Sequence, residues 1–89
     1  MKNIKQIARL LAETSDKELI EDFLTGILTK TELENIDSRW ELMKMLDKGV
    51  SQRQIASELH LSLCKITRGS KELQKEESAL KKLIQKSNT

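Results

Sequence analysis

Apolar residues along this chain recur at helical rather than strand intervals. Ile4, Ile7, Ala8, Leu10 and Leu11 mark one side of a first helix. "SDKE", Ser15 to Glu18, has the form of a capping box and predicts the start of a second helix bearing Leu19, Ile20, Phe23, Leu24, Ile27 and Leu28, with Gly26 blurring its end. "TKTE", Thr29 to Glu32, is another such box, with "TELE" two residues later as the alternative. It opens a longer helix striped by Leu33, Ile36, Trp40, Met43 and Leu46. "DKG", ending at Gly49, predicts a stop. Ser51 then caps a short helix carrying Ile55, Ala56 and Leu59, and His60 to Ser62 form a tight turn. Ser62 caps a helix from about Leu63 to Leu73, and a last helix spans roughly Glu76 to Gln85 with Leu80, Leu83 and Ile84 inward. The pattern predicts an all-α fold of about six short helices.

Several of these helices are too short to persist alone. The second is apolar over so wide an arc that it must be covered on more than one side. A chain of 89 residues has little material for that, so a homodimer in which two copies cover each other is expected.

Composition agrees with a helical fold: there is no proline, glycine occurs three times, and aromatic residues are 2%. One cysteine, Cys64, and one histidine, His60, allow neither an intrachain disulfide nor a Cys/His zinc site within one chain. No apolar run approaches a membrane span, and no signal-peptide pattern opens the chain, so a cytosolic protein with no membrane partner is expected. No nucleophile–base pair, metal set or phosphate-cradling glycine loop is present, which argues against an enzyme and against a resident cofactor.

Net charge is +2, but its distribution is uneven. Residues 13–37 hold eight acids and two bases, and residues 38–75 hold eight bases and four acids. A polyanion would meet the second stretch and be repelled by the first.

The two short helices around His60 to Ser62 have the form of a helix-turn-helix. Ile55, Leu59, Leu61 and Ile66 would pin them together, Ala56 permits their close crossing, and His60 occupies the turn position that favours positive φ. Gln52 and Arg53, at the first helix's N-terminus, suit a phosphate, with Lys48 and Lys71 as further candidates. Leu63, Cys64, Lys65 and Thr67 lie where a helix in the major groove would meet bases, an apolar group touching a thymine methyl and a lysine meeting guanine. Double-stranded DNA is therefore the expected partner. A helical protein-interaction module is the alternative, and it would lack salt-dependent duplex binding. Cys64 beside Lys65 also admits a redox-sensor reading. Trp40 is expected in the core or a dimer interface, because single-strand binding normally uses several aromatic platforms.

"SQRQIASELHLSLCKITRGSKEL", residues 51–73, preceded by "LTKTELENIDSR", residues 28–39, resembles the tryptophan repressor family. The resemblance implies an intertwined homodimer in which residues 1–89 form one DNA-binding domain. Residues 51–73 would be the reading head, and residues 1–48 and 76–89 the dimerisation core. It implies a transcriptional repressor at a palindromic operator, with L-tryptophan as corepressor; the alternative is a repressor of the same fold that does not answer to tryptophan. The family's ligand pocket falls on Thr29, Arg39, Arg68 and Gly69. Glu72 stands where the family has a serine, and it would either pair with the ligand's ammonium or select another ligand.

Gly69 poses a question of its own. Glycine inside a helix costs about 1 kcal/mol relative to alanine. A flat ligand or a neighbouring backbone lying against it is the expected reason.

Overall fold

The structure, a computed structural model, describes residues 1–75 and 78–87. Every regular element among them is a helix: α1 Lys2–Glu13, α2 Lys17–Ile27, α3 Lys30–Asp47, α4 Gln52–Leu59, α5 Leu63–Leu73 and α6 Ala79–Ser87. The chain divides into two compact units, Met1–Glu34 and Asn35–Thr89, with the division inside α3.

In the first unit side-chain caps start α2 and α3, while α1 begins at Met1 without one. The "SDKE" expectation is corrected by one residue: Asp16, not Ser15, caps α2, accepting the N–H groups of Glu18 at 3.1 Å and Leu19 at 3.2 Å. A carboxylate can take two amides at once, and its charge suits the positive end of a helix dipole. The "TKTE" box forms in full. Thr29 N–H donates to Glu32 Oε1 at 2.8 Å, and Glu32 N–H donates to Thr29 Oγ1 at 3.1 Å. Gly26 is accommodated within α2, which ends at Ile27 with Leu28 extended. No side chain of residues 1–34 is buried. Leu19 and Ile27 remain 57% and 56% exposed.

The second unit has two apolar clusters. Leu42, Ile55 and Ile66 form one, joined by Met45, Val50, Ala56, Leu59 and Leu61. Met43, Leu73 and Ile84 form the other, joined by Trp40 and Leu80, and Leu46 packs on both. Consecutive residues 42 and 43 of α3 thus serve different cores, which is how one helix seats α4 and α5 as well as α6. Trp40 takes the core role foreseen for it.

The stop at Gly49 is a full Schellman motif: Gly49 has φ +82°, its N–H reaches Leu46 O at 3.0 Å, and the Val50 N–H reaches Met45 O at 3.0 Å. Val50, just past the end, packs into the first cluster. The expected start of the last helix at Glu76 lies outside the described residues. Within them α6 begins at Ala79, after Ser78, whose hydroxyl accepts the Lys81 N–H at 3.2 Å while only 5% exposed.

Candidate nucleic-acid interface

α4 and α5 form the helix-turn-helix. Ser51 Oγ accepts the Gln54 N–H at 3.2 Å, and Ser62 Oγ accepts the Lys65 N–H at 3.3 Å, so a serine starts each helix. Between them His60 adopts φ 54° and ψ 40°, the left-handed conformation expected of it. Ile55 and Ile66, both fully buried, hold the pair together. Thr67 adds a polar link that the sequence pattern did not show, its hydroxyl donating to Gln52 Oε1 at 3.2 Å. Two residues assigned separately to phosphate and to bases are therefore tied to each other.

The outward side of α5 collects most of the predicted reading residues. Leu63, Cys64, Thr67, Arg68 and Lys71, all on α5, line a shallow, solvent-open groove between their own side chains. Leu63 keeps 53% of its surface in water although it is a large apolar residue. Lys65 is exposed but does not line this groove. At 3.6 residues per turn it lies roughly 100° around α5 from Cys64.

Charge favours an anion along this side. Among the described residues, Glu72 Oε2 pairs with Lys75 Nζ at 2.7 Å, and Glu58, which accepts from the neutral Gln54 Nε2 at 3.1 Å, is the one nearby carboxylate outside an ion pair. Arg53, Lys65, Arg68 and Lys71 are exposed and belong to neither ion pair seen among the described residues, Glu41–Lys44 and Glu72–Lys75. On α3 the Lys44 ammonium lowers the Glu41 carboxyl by a hydrogen bond and by its charge, and Lys48 lowers it further.

Of the residues assigned to a ligand pocket, Thr29 belongs to the first unit and Arg39, Arg68, Gly69 and Glu72 to the second. Thr29 is the cap of α3 in the first unit. Arg39 is exposed on α3. Arg68 faces outward into the α5 groove, while Gly69, about 100° further around the helix, is buried. Of the two neighbours expected for Gly69, the backbone is corrected: side chains of α3 lie there instead. A Cβ at this position would meet Met43 Cε at 3.1 Å and Leu42 Cδ2 at 3.2 Å. Two α3 side chains fill the space, and the glycine lets α5 approach them. Glu72 is half-exposed in its pair with Lys75.

No helix among the described residues is long and apolar enough to cross a membrane. No His, Cys, Asp or Glu group among them could hold a metal ion.

The family model described as Trp repressor protein matches residues 2–88. A Trp operon repressor homolog of Vibrio parahaemolyticus serotype O3:K6 is 37% identical over 78 residues, covering 86% of this chain and 76% of that protein. One from Vibrio campbellii is 38% identical over 73 residues, covering 81% and 73%. One from Xylella fastidiosa strain M23 is 34% identical over 71 residues, covering 79% and 77%. No solved structure matches the chain.

Proposed function

Because the chain belongs to the Trp repressor family, whose members regulate transcription rather than catalyse, we propose that it is a repressor that binds double-stranded operator DNA as a homodimer. The observation that carries this reading is the outward side of α5. Leu63, Cys64, Thr67, Arg68 and Lys71 share one groove there, and its two cations have no carboxylate partner among the described residues. A helix of this kind fits a major groove, with Leu63 and Thr67 suited to thymine methyls and Lys71 to phosphate. Arg53 at the start of α4 suits the backbone phosphates. Two reading heads about 34 Å apart would select a palindromic site. The apolar sides of α1 and α2 supply the dimer surface, and a regulator of this kind works in the cytosol.

Duplex binding measured across a salt series tests the reading. Arg53→Ala is expected to weaken operator and random duplex alike and to make the salt slope shallower by about 1. Substitution at Cys64 or Thr67 is expected to change the preferred sequence. A wild-type protein with no salt-dependent affinity for any duplex would remove the reading.

For the effector, we propose L-tryptophan, with Arg39 and Arg68 as the residues that hold it. It would act by binding the DNA-competent arrangement of the reading head more tightly than other arrangements. A second reading, a repressor of the same fold that needs no tryptophan, is favoured by Glu72, which stands where the family has a serine and is paired with Lys75. Calorimetric titration with L-tryptophan, repeated with Arg68→Ala, separates the two. Binding lost on that substitution supports the corepressor. No heat, with full operator affinity in tryptophan-free buffer, establishes the second reading.

A further inference from the structure

Nothing in the reading head accounts for the basic side of α1. Lys2, Lys5 and Arg9 follow at i, i+3 and i+7, so they fall within an arc of about 60° on the helix. With Gln6 they border only a shallow, solvent-open space between side chains of this one helix. All three cations are exposed, neither ion pair among the described residues includes them, and α1 has no acid before Glu13. Ile4, Ile7, Ala8 and Leu11 occupy the opposite side of the same helix.

We propose that this stripe is a second duplex-DNA surface, one that binds backbone phosphates and reads no sequence; the proposal rests on the DNA-binding reading above. Spacing supports it. From Lys2 to Arg9 the helix rises about 10 Å, close to the rise of three nucleotides along one strand at about 3.4 Å each. The stripe's side chains are also the types that neutralise phosphate, and no apolar group interrupts them to touch a base.

Two other anionic partners fit less well. An amphipathic helix lying in a membrane needs its cations near the headgroup plane. That mode also needs the apolar side free to insert, and here the apolar side of α1 is the one assigned above to the dimer. The carboxylates of a second copy's α2 are the other candidate. On α2, Glu18, Glu21 and Asp22 also lie opposite the apolar residues Ile20, Phe23, Leu24 and Ile27. When the apolar sides of α1 and α2 are covered, both charged sides face outward and do not meet.

The test is the full-length protein carrying Lys2→Gln, Lys5→Gln and Arg9→Gln together, with duplex affinity measured against salt. The slope of log affinity against log salt is expected to become shallower by about 0.9 for each phosphate the variant no longer neutralises. Operator and random duplex should weaken by the same factor, and sedimentation should still give the wild-type mass. A charge-preserving variant, Lys2→Arg with Lys5→Arg and Arg9→Lys, should keep the wild-type slope. An unchanged slope in the neutral variant, alongside the expected loss in Arg53→Ala, overturns the stripe while leaving the repressor reading intact. No duplex binding by wild-type protein removes both. Loss of the wild-type mass assigns the stripe to the dimer, and loss of binding to phosphatidylserine vesicles with an unchanged duplex slope assigns it to a membrane. Either result overturns the proposal.

Discussion

Residues 1–34 and the residues after them follow the same helical code to different ends. In the first stretch the apolar stripes are as regular as any in the chain, yet no side chain is buried. In the second, Leu42, Ile55, Ile66 and Ile84 are at most 2% exposed. Amphipathic periodicity says that a face must leave water, but it does not say what will cover it. Where α3 offers Leu42 on one side and Met43 on the other, neighbouring helices of the same chain supply the cover. The first unit is finished at the level of caps and hydrogen bonds and unfinished at the level of burial.

Core truncation should give the largest contrast. Ile66→Ala in the second unit is expected to cost about 2–5 kcal/mol, because the side chain is fully enclosed and its cavity cannot collapse completely. Urea denaturation would measure it. Leu24→Ala removes a residue that is 41% exposed in the single chain. If a second copy covers that face, its cost should appear as weaker dimerisation in sedimentation equilibrium and as a concentration-dependent midpoint. A Leu24→Ala protein with wild-type mass and stability would show that this face stays in water.

Gly69→Ala probes how tightly the second unit is closed. The added methyl must displace Met43 Cε or Leu42 Cδ2. Overpacking costs about 1–3 kcal/mol, offset by about 1 kcal/mol of helix propensity, so a net loss of about 1 kcal/mol is expected. Met43→Ala should relieve part of it, because a flexible methionine end is the nearer obstacle. A double-mutant cycle without coupling would show that α5 does not rest on Met43.

In the first unit, where caps rather than burial define the elements, Asp16→Ala should cost about 1 kcal/mol and Ser15→Ala almost nothing. Equal effects of the two would contradict the placement of the cap at Asp16.

The smallest contrast is electrostatic. Glu32, in the first unit, is held below its ordinary value of 4.5, chiefly by the Thr29 N–H and then by the Thr29 side chain. Glu41, in the second, is lowered mainly by Lys44. Both folded values are depressed, so each contribution is complete above about pH 4.5 and is lost as pH falls through the lowered folded value. High salt screens exposed charges, with a Debye length of about 3 Å at 1 M. It should therefore reduce the Glu41 downshift and largely spare that of Glu32, which is set by hydrogen bonds. Carboxyl titration by NMR at low and high salt would check this, and equal salt sensitivity would refute the assignment of causes.

Much of the helix-turn-helix was legible because its determinants are local. Ser51, His60 and Ser62 act through residues no more than three positions away, and such signals survive in a linear reading. Asp16 displaced Ser15 for a reason the spacing could not reveal: two amides converge on one carboxylate oxygen only once the first turn has formed. The Thr67–Gln52 bond spans fifteen positions and has no motif to announce it.

The sequence by itself determined six helices, most of their ends, and a helix-turn-helix with a basic outward side, because capping, propensity and period act over a turn or two. Only the tertiary structure decided that Gly69 is small for Leu42 and Met43, that those two α3 residues serve different clusters, and that Thr67 reaches Gln52. Each of these depends on which side of one helix meets another, and that is settled by packing between residues far apart in the chain.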